Sequence, residues 1–277
     1  MNYIELLKKS SEKFSSIACM GMDPIVEDIP ESGTTGQKIY SFYEAILDRM
    51  AKRQVYPGAV KPNYAFYAQY GLEGIEALSK LISIYKSEGI PVILDVKRGD
   101  IGTTAKAYSR EAYEFFKADS VTLSPYMGYD SISPFLDAYP ERGCYILTKT
   151  SNKSSSDIQD IMTGGEPLYL HVAKKILEWH KPGIGSVVGA TFPDQLLKIS
   201  GIFNASGREV PLLIPGVGSQ GGSVEETVGI LKKHGDIRIH RINSSSAINY
   251  AYKKLPDMHY ADAAVEALRE LNGQIGL

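Results

Sequence analysis

The sequence alternates, from end to end, between short apolar runs rich in β-branched residues and segments with helical periodicity. Eight such rounds are present, and this order is typical of a parallel sheet with helices outside it. The predicted strands are IACMGM (17–22), GAVKPN (58–63), PVILDVK (91–97), SVTLS (120–124), CYILTK (144–149), GSVVGA (185–190), PLLIPG (211–216) and IHRINS (239–244). Eight βα rounds without a break in composition predict an α/β fold, a single closed (β/α)8 barrel rather than an open sheet.

The segments between the predicted strands carry apolar stripes at helical spacing. The clearest stripe, at i, i+3, i+4, i+7, i+8 and i+11, consists of Ile39, Phe42, Tyr43, Ile46, Leu47 and Met50. A second stripe is followed by Gly89, a residue suited to the left-handed turn that ends a helix, and consists of Ile75, Leu78, Ile82 and Tyr85. Both stripes are predicted to face the barrel. Because such barrels run to about 250 residues, we expect one domain over residues 1–277.

The stretch TSNKSSSDIQDIMTGGEP (150–167) is rich in Ser and Gly and is long for a connection after a barrel strand. It follows the fifth predicted strand, on the face where barrels place their active sites. Two interpretations remain open for this segment, a mobile lid over the site and a tolerated surface insertion.

Composition excludes several classes of protein. No stretch reaches the ~18 uninterrupted apolar residues of a membrane span. The N-terminus, MNYIELLKKSSEKF, is charged where a signal peptide needs an apolar core of about 7–15 residues, so we expect a cytoplasmic protein. A net charge of −2 argues against a broad basic surface for nucleic acid. The expected partner is therefore a small-molecule substrate.

Cysteine and histidine spacing gives no sign of a metal site or of a disulfide. Cys19 and Cys144 lie in predicted strands, which favours free buried thiols. The five histidines show neither HxH nor HExxH spacing, and the two cysteines are far apart in sequence. We therefore predict no bound metal.

Charged side chains lie at the carboxyl ends of the first three predicted strands. Asp95 and Lys97 are two residues apart on the third strand, so they point to the same face and can pair in the barrel mouth. Lys61 ends the second strand, Asp23 follows the first, and Asp100 lies on the loop beyond the third. Salt bridges that merely lock strand ends would explain any single pair. A set drawn from several strand ends is more typical of a catalytic site.

The segment Asp95-x-Lys97-x-x-Asp100-Ile101-x-x-Thr104 resembles the DxKxxDIxxT signature of orotidine 5′-monophosphate decarboxylases, with five fixed positions in ten residues. The resemblance covers nearly the whole chain, through GMDP (21–24), KPNYAFY (61–67), SPYMGYD (124–130), KTSNKS (149–154), VVGATFP (187–193) and PGVGSQGG (215–222). These flanking motifs are similar to those of the longer branch of the family, called type 2.

The resemblance implies a catalytic set of Lys61, Asp95, Lys97 and Asp100. It also implies that Asp100 and Thr104 enter the active site of a second subunit, so that a homodimer with shared sites would be required for activity. No cofactor and no metal are implied.

The resemblance implies a second set of residues that bind the substrate. In this set Asp23 holds the ribose hydroxyls, Ser151 bonds the pyrimidine edge, and Gln220, Ser245 and Ser246 form the phosphate site together with the glycine-rich turn that begins at Pro215. The position of that turn after the seventh strand agrees with this assignment, because barrels often bind phosphate with the loops after strands 7 and 8.

The implied reaction makes physical demands that these residues can meet. Loss of carbon dioxide from C6 of the pyrimidine leaves a vinyl carbanion with no adjacent electron sink, so its charge must be stabilised electrostatically. The Lys97 ammonium can do this and then deliver the replacing proton. Asp95 beside the substrate carboxylate would destabilise the ground state.

One position departs from the family. An arginine that binds the phosphate is expected after the eighth strand, where this chain has Ser246. The loss of one charge-assisted contact would cost on the order of 1.5–3 kcal/mol. We hypothesise that Arg241, on the same strand, compensates; the alternative is a surface or interface residue.

Three other functions remain open. A metal-dependent sugar-phosphate decarboxylase or aldolase of the same barrel superfamily shares the Asp-x-Lys-x-x-Asp strand end. Ile101 and Thr104 favour the nucleotide enzyme, as do Pro125 and Tyr126, which we expect to line a flat ring pocket. A Schiff-base mechanism is disfavoured because Asp95 should keep Lys97 protonated. A non-catalytic barrel that binds a nucleotide is the third.

Overall fold

The computed structural model describes residues 1–218 and 221–277 of the chain. Its main sheet has eight parallel strands, one for each predicted run. They are β1 (Ala18–Met22), β2 (Ala59–Pro62), β3 (Ile93–Arg98), β4 (Ser120–Leu123), β5 (Gly143–Lys149), β6 (Ile184–Val188), β7 (Leu212–Pro215) and β8 (Arg241–Ser244). Every predicted strand is confirmed, with ends that differ by no more than two residues.

Strand pairing closes the sheet into a barrel. Each strand from β3 to β8 pairs in parallel with the next, and β8 pairs with β1, which pairs with β2. The remaining seam, between β2 and β3, is joined by two parallel bridges, Val60 to Val92 and Asn63 to Asp95. The prediction of a (β/α)8 barrel is therefore confirmed.

Helices occupy every connection between the strands. The helices are α1 (Tyr3–Phe14), α2 (Thr35–Arg53), α3 (Tyr64–Ala68), α4 (Gly71–Ser87), α5 (Gly102–Arg110), α6 (Ser133–Asp137), α7 (Ser156–Gln159), α8 (Leu168–Glu178), α9 (Pro193–Ala205), α10 (Val224–Lys233), α11 (Ser246–Asn249) and α12 (Tyr260–Ile275). The predicted stripe on α2 is buried throughout, and Gly89 after α4 has the expected positive φ of 81°. Among the described residues, no helix is long and apolar enough to cross a membrane.

The amino-terminal end of the barrel is plugged by α1. Tyr3 and Leu7 of this helix are fully buried against side chains of the barrel interior, and the Tyr3 hydroxyl accepts a hydrogen bond from Ser120 Oγ at 2.8 Å. Gly143 makes room for the plug, because a Cβ at this position would lie 2.1 Å from Cδ1 of Tyr3. The described part of the barrel is thus closed at the amino-terminal ends of its strands and open at their carboxyl ends.

Arg241 lies in this closed end, so the proposal that it compensates for Ser246 is wrong. It is the first residue of β8, at the opposite end of the strand from Ser244, and its side chain is fully buried. Its guanidinium donates to the Leu7 carbonyl at 2.8 Å, to Ser10 Oγ at 2.6 Å and to the Gly58 carbonyl at 3.1 Å. These bonds tie the plug helix to the barrel. The alternative of a surface or interface residue is wrong as well.

The segment 150–167 is folded rather than extended. It contains a 3-10 turn (Lys153–Ser155), the helix α7 and a two-stranded antiparallel hairpin formed by Met162–Thr163 and Glu166–Pro167. Its exposed apolar side chains are those of Ile158, Ile161 and Met162.

Candidate active site

A buried aspartate between two lysines lies at the mouth of the barrel. Lys61 ends β2 and donates to Asp95 Oδ2 at 2.9 Å, and Lys97 donates to Asp95 Oδ1 at 2.7 Å. Lys61 and Asp95 are 6% and 7% exposed, whereas the Lys97 side chain is 49% exposed. We call these three residues the charge array. It has one buried ion pair and one lysine that faces the open pocket.

The two buried charges of the array stabilise one another. Burial by itself would raise the pKa of Asp95, but the charges and hydrogen bonds of Lys61 and Lys97 outweigh it and hold that pKa well below its usual range. Burial would likewise lower the pKa of Lys61, yet Asp95 and then Asp23 raise it above the usual range. Asp95 is therefore an anion and Lys61 a cation at neutral pH.

The backbone of β3 aims Lys97 into the pocket. Its φ of 47° is in the left-handed region, which costs a non-glycine residue about 1–2 kcal/mol. The Thr122 hydroxyl holds this conformation: it accepts from the amides of Val96 (3.1 Å) and Lys97 (2.9 Å) and donates to Asp95 Oδ1 (2.8 Å). The pairing of β3 with β4 shifts register between Leu94 and Arg98, at this same place. Irregularities of this kind re-aim side chains beside active sites.

The charge array lines a pocket of about 650 Å³ at the carboxyl ends of the strands. Apolar side chains form part of its wall, among them Phe66, Leu147, Val187, Leu213 and Val217. The sequence-predicted residues in its lining are Asp23, Lys61, Asp95, Lys97, Ser151, Pro215, Ser245 and Ser246. The structure thus brings together residues in or directly after all eight strands, counting Thr122 in β4 and Val187 in β6.

Two buried oxygen atoms in the pocket lining have no hydrogen-bond donor among the described residues. Ser245 Oγ donates to Asp23 Oδ2 at 2.5 Å, while Asp23 Oδ1 is buried and has no hydrogen-bond partner among the described residues. Asn243 Oδ1 is likewise buried without a hydrogen-bond partner among the described residues, and Asn243 is 7% exposed. Buried acceptors without a partner are costly, so both atoms are suited to accept hydrogen bonds from a ligand.

The end of the pocket formed by β7 and β8 is polar but carries no basic side chain among the described residues. Pro215, Gly216 and Ser244–Ser246 line it, and the basic side chains of the lining are Lys61 and Lys97. Ser246 is exposed. Gln220, which sequence predicts to contact phosphate, lies outside the described residues.

Asp100 and Thr104 do not join their own charge array. Neither of these two described residues lines the pocket, and Asp100 Oδ1 accepts only the amide of Ile101, at 2.8 Å, among the described residues. Thr104 is exposed on α5. Pro125 and Tyr126 are also outside the lining, and Tyr126 is 87% exposed. The expectation that these two residues line a ring pocket is therefore wrong for the single chain.

Several lining residues had not been singled out from sequence: Asn63, Thr122, Gln159, Asn243 and Tyr250. Alternation along the strand could have found Asn243, because it is two residues from the inward-facing Arg241. Thr122 is likewise a polar residue in an apolar strand. No sequence signal identifies Gln159, which reaches the pocket only because α7 folds back on the barrel.

The described residues include no group of three His, Cys, Asp or Glu side chains placed to hold a metal ion. Within the charge array, the single carboxylate already accepts hydrogen bonds from two ammonium groups and a hydroxyl. A carboxylate occupied in this way is a poor metal ligand. Cys19 and Cys144 are free and buried, and burial raises the pKa of Cys19 to about 12.

Comparison with known proteins agrees with this geometry. The profile of the "Orotidine 5'-phosphate decarboxylase / HUMPS family" matches residues 19–254. Proteins named orotidine 5'-phosphate decarboxylase from Ralstonia pickettii and Dechloromonas aromatica are 43% and 42% identical, covering 95% and 100% of this chain and 94% and 99% of theirs. The structure of Leishmania donovani OMP decarboxylase is 32% identical, with a TM-score of 0.77 over the full length of both chains. The chain therefore belongs to the orotidine 5′-phosphate decarboxylase / HUMPS family.

Proposed function

We propose that this protein decarboxylates orotidine 5′-monophosphate (OMP) to uridine 5′-monophosphate (UMP), the last step of de novo pyrimidine synthesis. The observation that carries the proposal is the charge array, with one lysine that faces a pocket large enough for a nucleotide. The proposal is also supported by relatives more than 40% identical that bear this enzyme's name. We further propose that it acts in the cytoplasm as one barrel domain, without a nucleic-acid or membrane partner.

In the proposed reaction the bond between C6 and the carboxylate breaks, carbon dioxide leaves, and the electron pair remains on C6. The Lys97 ammonium lies beside this carbon, stabilises its charge and gives it a proton, which completes UMP. Asp95 stays ionised, accepts a hydrogen bond from the Lys97 ammonium at 2.7 Å and so holds it in place, and repels the substrate carboxylate. Lys61 offsets the buried charge of Asp95.

The rest of the substrate fits the remaining lining. Asp23 Oδ1, which has no partner among the described residues, is suited to a ribose hydroxyl, and the Ser151 hydroxyl to the pyrimidine edge. Ser245, Ser246 and the turn from Pro215 to Gln220 would hold the phosphate without an arginine. Binding of this remote group positions the ring at Lys97.

The alternative function is that of a metal-dependent sugar-phosphate decarboxylase or aldolase of the same barrel superfamily. Metal dependence separates the two, since the proposed chemistry uses only the chain's own charges. We expect the purified protein to remove the ultraviolet absorbance of OMP at the same rate in excess EDTA as without it. Activity that disappears in EDTA and returns with a divalent cation would reject the proposal in favour of the alternative.

We propose that the active form is a homodimer with shared sites. Asp100 and Thr104 do not line their own pocket. Nearby, at the ends of the neighbouring strands β3 and β4, Ile101, Tyr126 and Met127 are 52%, 87% and 53% exposed. An apolar rim around two polar residues is suited to a symmetric contact with a second copy. In that contact Asp100 and Thr104 would complete the partner's site.

Shared sites predict complementation between two inactive variants. Lys97→Ala and Asp100→Ala should each be inactive as homodimers. After refolding or co-expression of an equal mixture, half of the dimers are hybrid and half of their sites are native, so activity should recover to about a quarter of wild type. Recovery that fails in a mixture shown to contain hybrid dimers would mean that each site is built from one chain.

A further inference from the structure

Lys149 is a fully buried lysine that the proposed chemistry does not use. It ends β5, its side chain is 0% exposed, and it is not among the described residues that line the pocket. Its ammonium donates to both carboxylate oxygens of Asp160, at 2.8 and 2.9 Å, and to Ser155 Oγ at 3.1 Å, and lies 4.4 Å from the centre of the Phe192 ring. A buried charge is costly unless it is paired and hydrogen-bonded, so the position of Lys149 depends on these partners.

The partners of Lys149 belong to the segment 150–167, which the ion pair fastens to the barrel. Gln159, next to Asp160, carries the restraint to the pocket wall. Its Oε1 accepts the Thr150 amide at 2.9 Å and its Nε2 donates to the Thr150 hydroxyl at 2.8 Å. Thr150, Ser151 and Gln159 all line the pocket.

The main chain of Ser151 is held from its other side as well. Thr191 Oγ1 donates to the Ser151 carbonyl at 3.1 Å. Gly189 lets its own backbone lie close to that of Ser151, because a Cβ at position 189 would lie 2.7 Å from Ser151 Cα. Ser151 is thus clamped between the end of β6 and the fastened segment.

We infer that Lys149 is a positioning residue: through Asp160, Gln159 and Thr150 it fixes the place of the Ser151 hydroxyl, and so sets recognition of the pyrimidine ring. This inference rests on the proposed function. It gives the segment 150–167 a part in the base site, because the contacts of this segment hold Thr150 and Ser151 in place. Lys149 should therefore affect the binding of ligands that carry the pyrimidine base and not of ligands that lack it.

The test compares a ligand with a base and one without. Lys149→Met keeps most of the side-chain volume and removes the charge. It should weaken UMP binding about tenfold, as measured by calorimetry, and leave ribose 5-phosphate binding within about twofold. Asp160→Asn, at a partly exposed position, should give the same split and covers the case in which Lys149→Met does not fold. Lys153→Met, an exposed lysine of the same segment, is the matched control and should change neither affinity.

A double-mutant cycle tests the route through Ser151. Ser151→Ala should weaken UMP binding in the wild-type background and much less in Lys149→Met, because the hydroxyl is already displaced there. Equal weakening of UMP and ribose 5-phosphate, unchanged UMP affinity, or full additivity with Ser151→Ala would each overturn the inference. Failure of the proposed function is distinguishable, because wild-type protein would then neither bind UMP nor consume OMP.

Discussion

Replacement of Lys97 by alanine should lower kcat for OMP decarboxylation by at least about a thousandfold, because one ammonium both stabilises the carbanion and supplies the proton. UMP binding should change by less than about tenfold, since UMP lacks the carboxylate that leaves from beside this lysine. The fold should survive: Lys97 is half exposed, and Asp95 keeps its buried pair with Lys61. The loss should therefore fall on kcat rather than on stability.

The measurement is the decay of OMP absorbance under saturating substrate, beside calorimetry with UMP. Lys106→Ala, an exposed lysine on the neighbouring helix α5, is the matched control and should retain full activity. Lys97→Arg should remain inactive, because a guanidinium with a pKa above about 12 does not release its proton readily. Retention of a tenth of wild-type kcat by Lys97→Ala would remove this lysine from the chemistry.

The barrel could be predicted from sequence because its evidence is local and repeated. Each strand is a short apolar run with a helical stripe behind it, and eight repetitions leave few other folds open. The pairing of Asp95 with Lys97 follows from the two-residue period of a strand in the same way. Even the irregular backbone at Lys97 alters only how the side chain is aimed, not the face from which it starts.

The sequence predictions failed, or were silent, where a side chain's contacts come from another strand, helix or loop. Arg241 was expected near the phosphate because position 246 lacks a charge, but strand direction puts it at the plugged end, where α1 supplies its partners. Lys149 ends an apolar strand, and no local sequence pattern predicts its hydrogen bonds to Asp160. Tyr126 is exposed in the single chain. Such side chains depend on which loops fold back and on which surfaces a second copy covers, and local patterns do not encode either.

Replacement of Asp95 by asparagine should damage stability and activity together, unlike the change at Lys97. The variant leaves the Lys61 ammonium buried beside a neutral amide, and removal of one partner from a buried pair costs about 3–5 kcal/mol. Activity should fall by about a hundredfold or more, because Lys97 loses the carboxylate that holds its ammonium in place. Urea unfolding at pH 7 and a fixed protein concentration measures the first effect. Glu178→Gln, which breaks an exposed ion pair with Lys175, is the control and should leave stability nearly unchanged.

The stability difference between wild type and Asp95→Asn should depend on pH in one direction. The pKa of Asp95 is depressed in the folded protein, so its contribution is complete above the unfolded value of about 3.9 and is lost as pH falls below it. The other carboxylates titrate in both proteins and largely cancel in the difference. The gap in unfolding free energy should therefore be constant from pH 7 to about pH 5 and narrow below pH 4. A gap that stays constant down to pH 3 would mean that the penalty comes from altered packing, and a gap that widens there would mean that burial, rather than the two lysines, dominates the titration of Asp95.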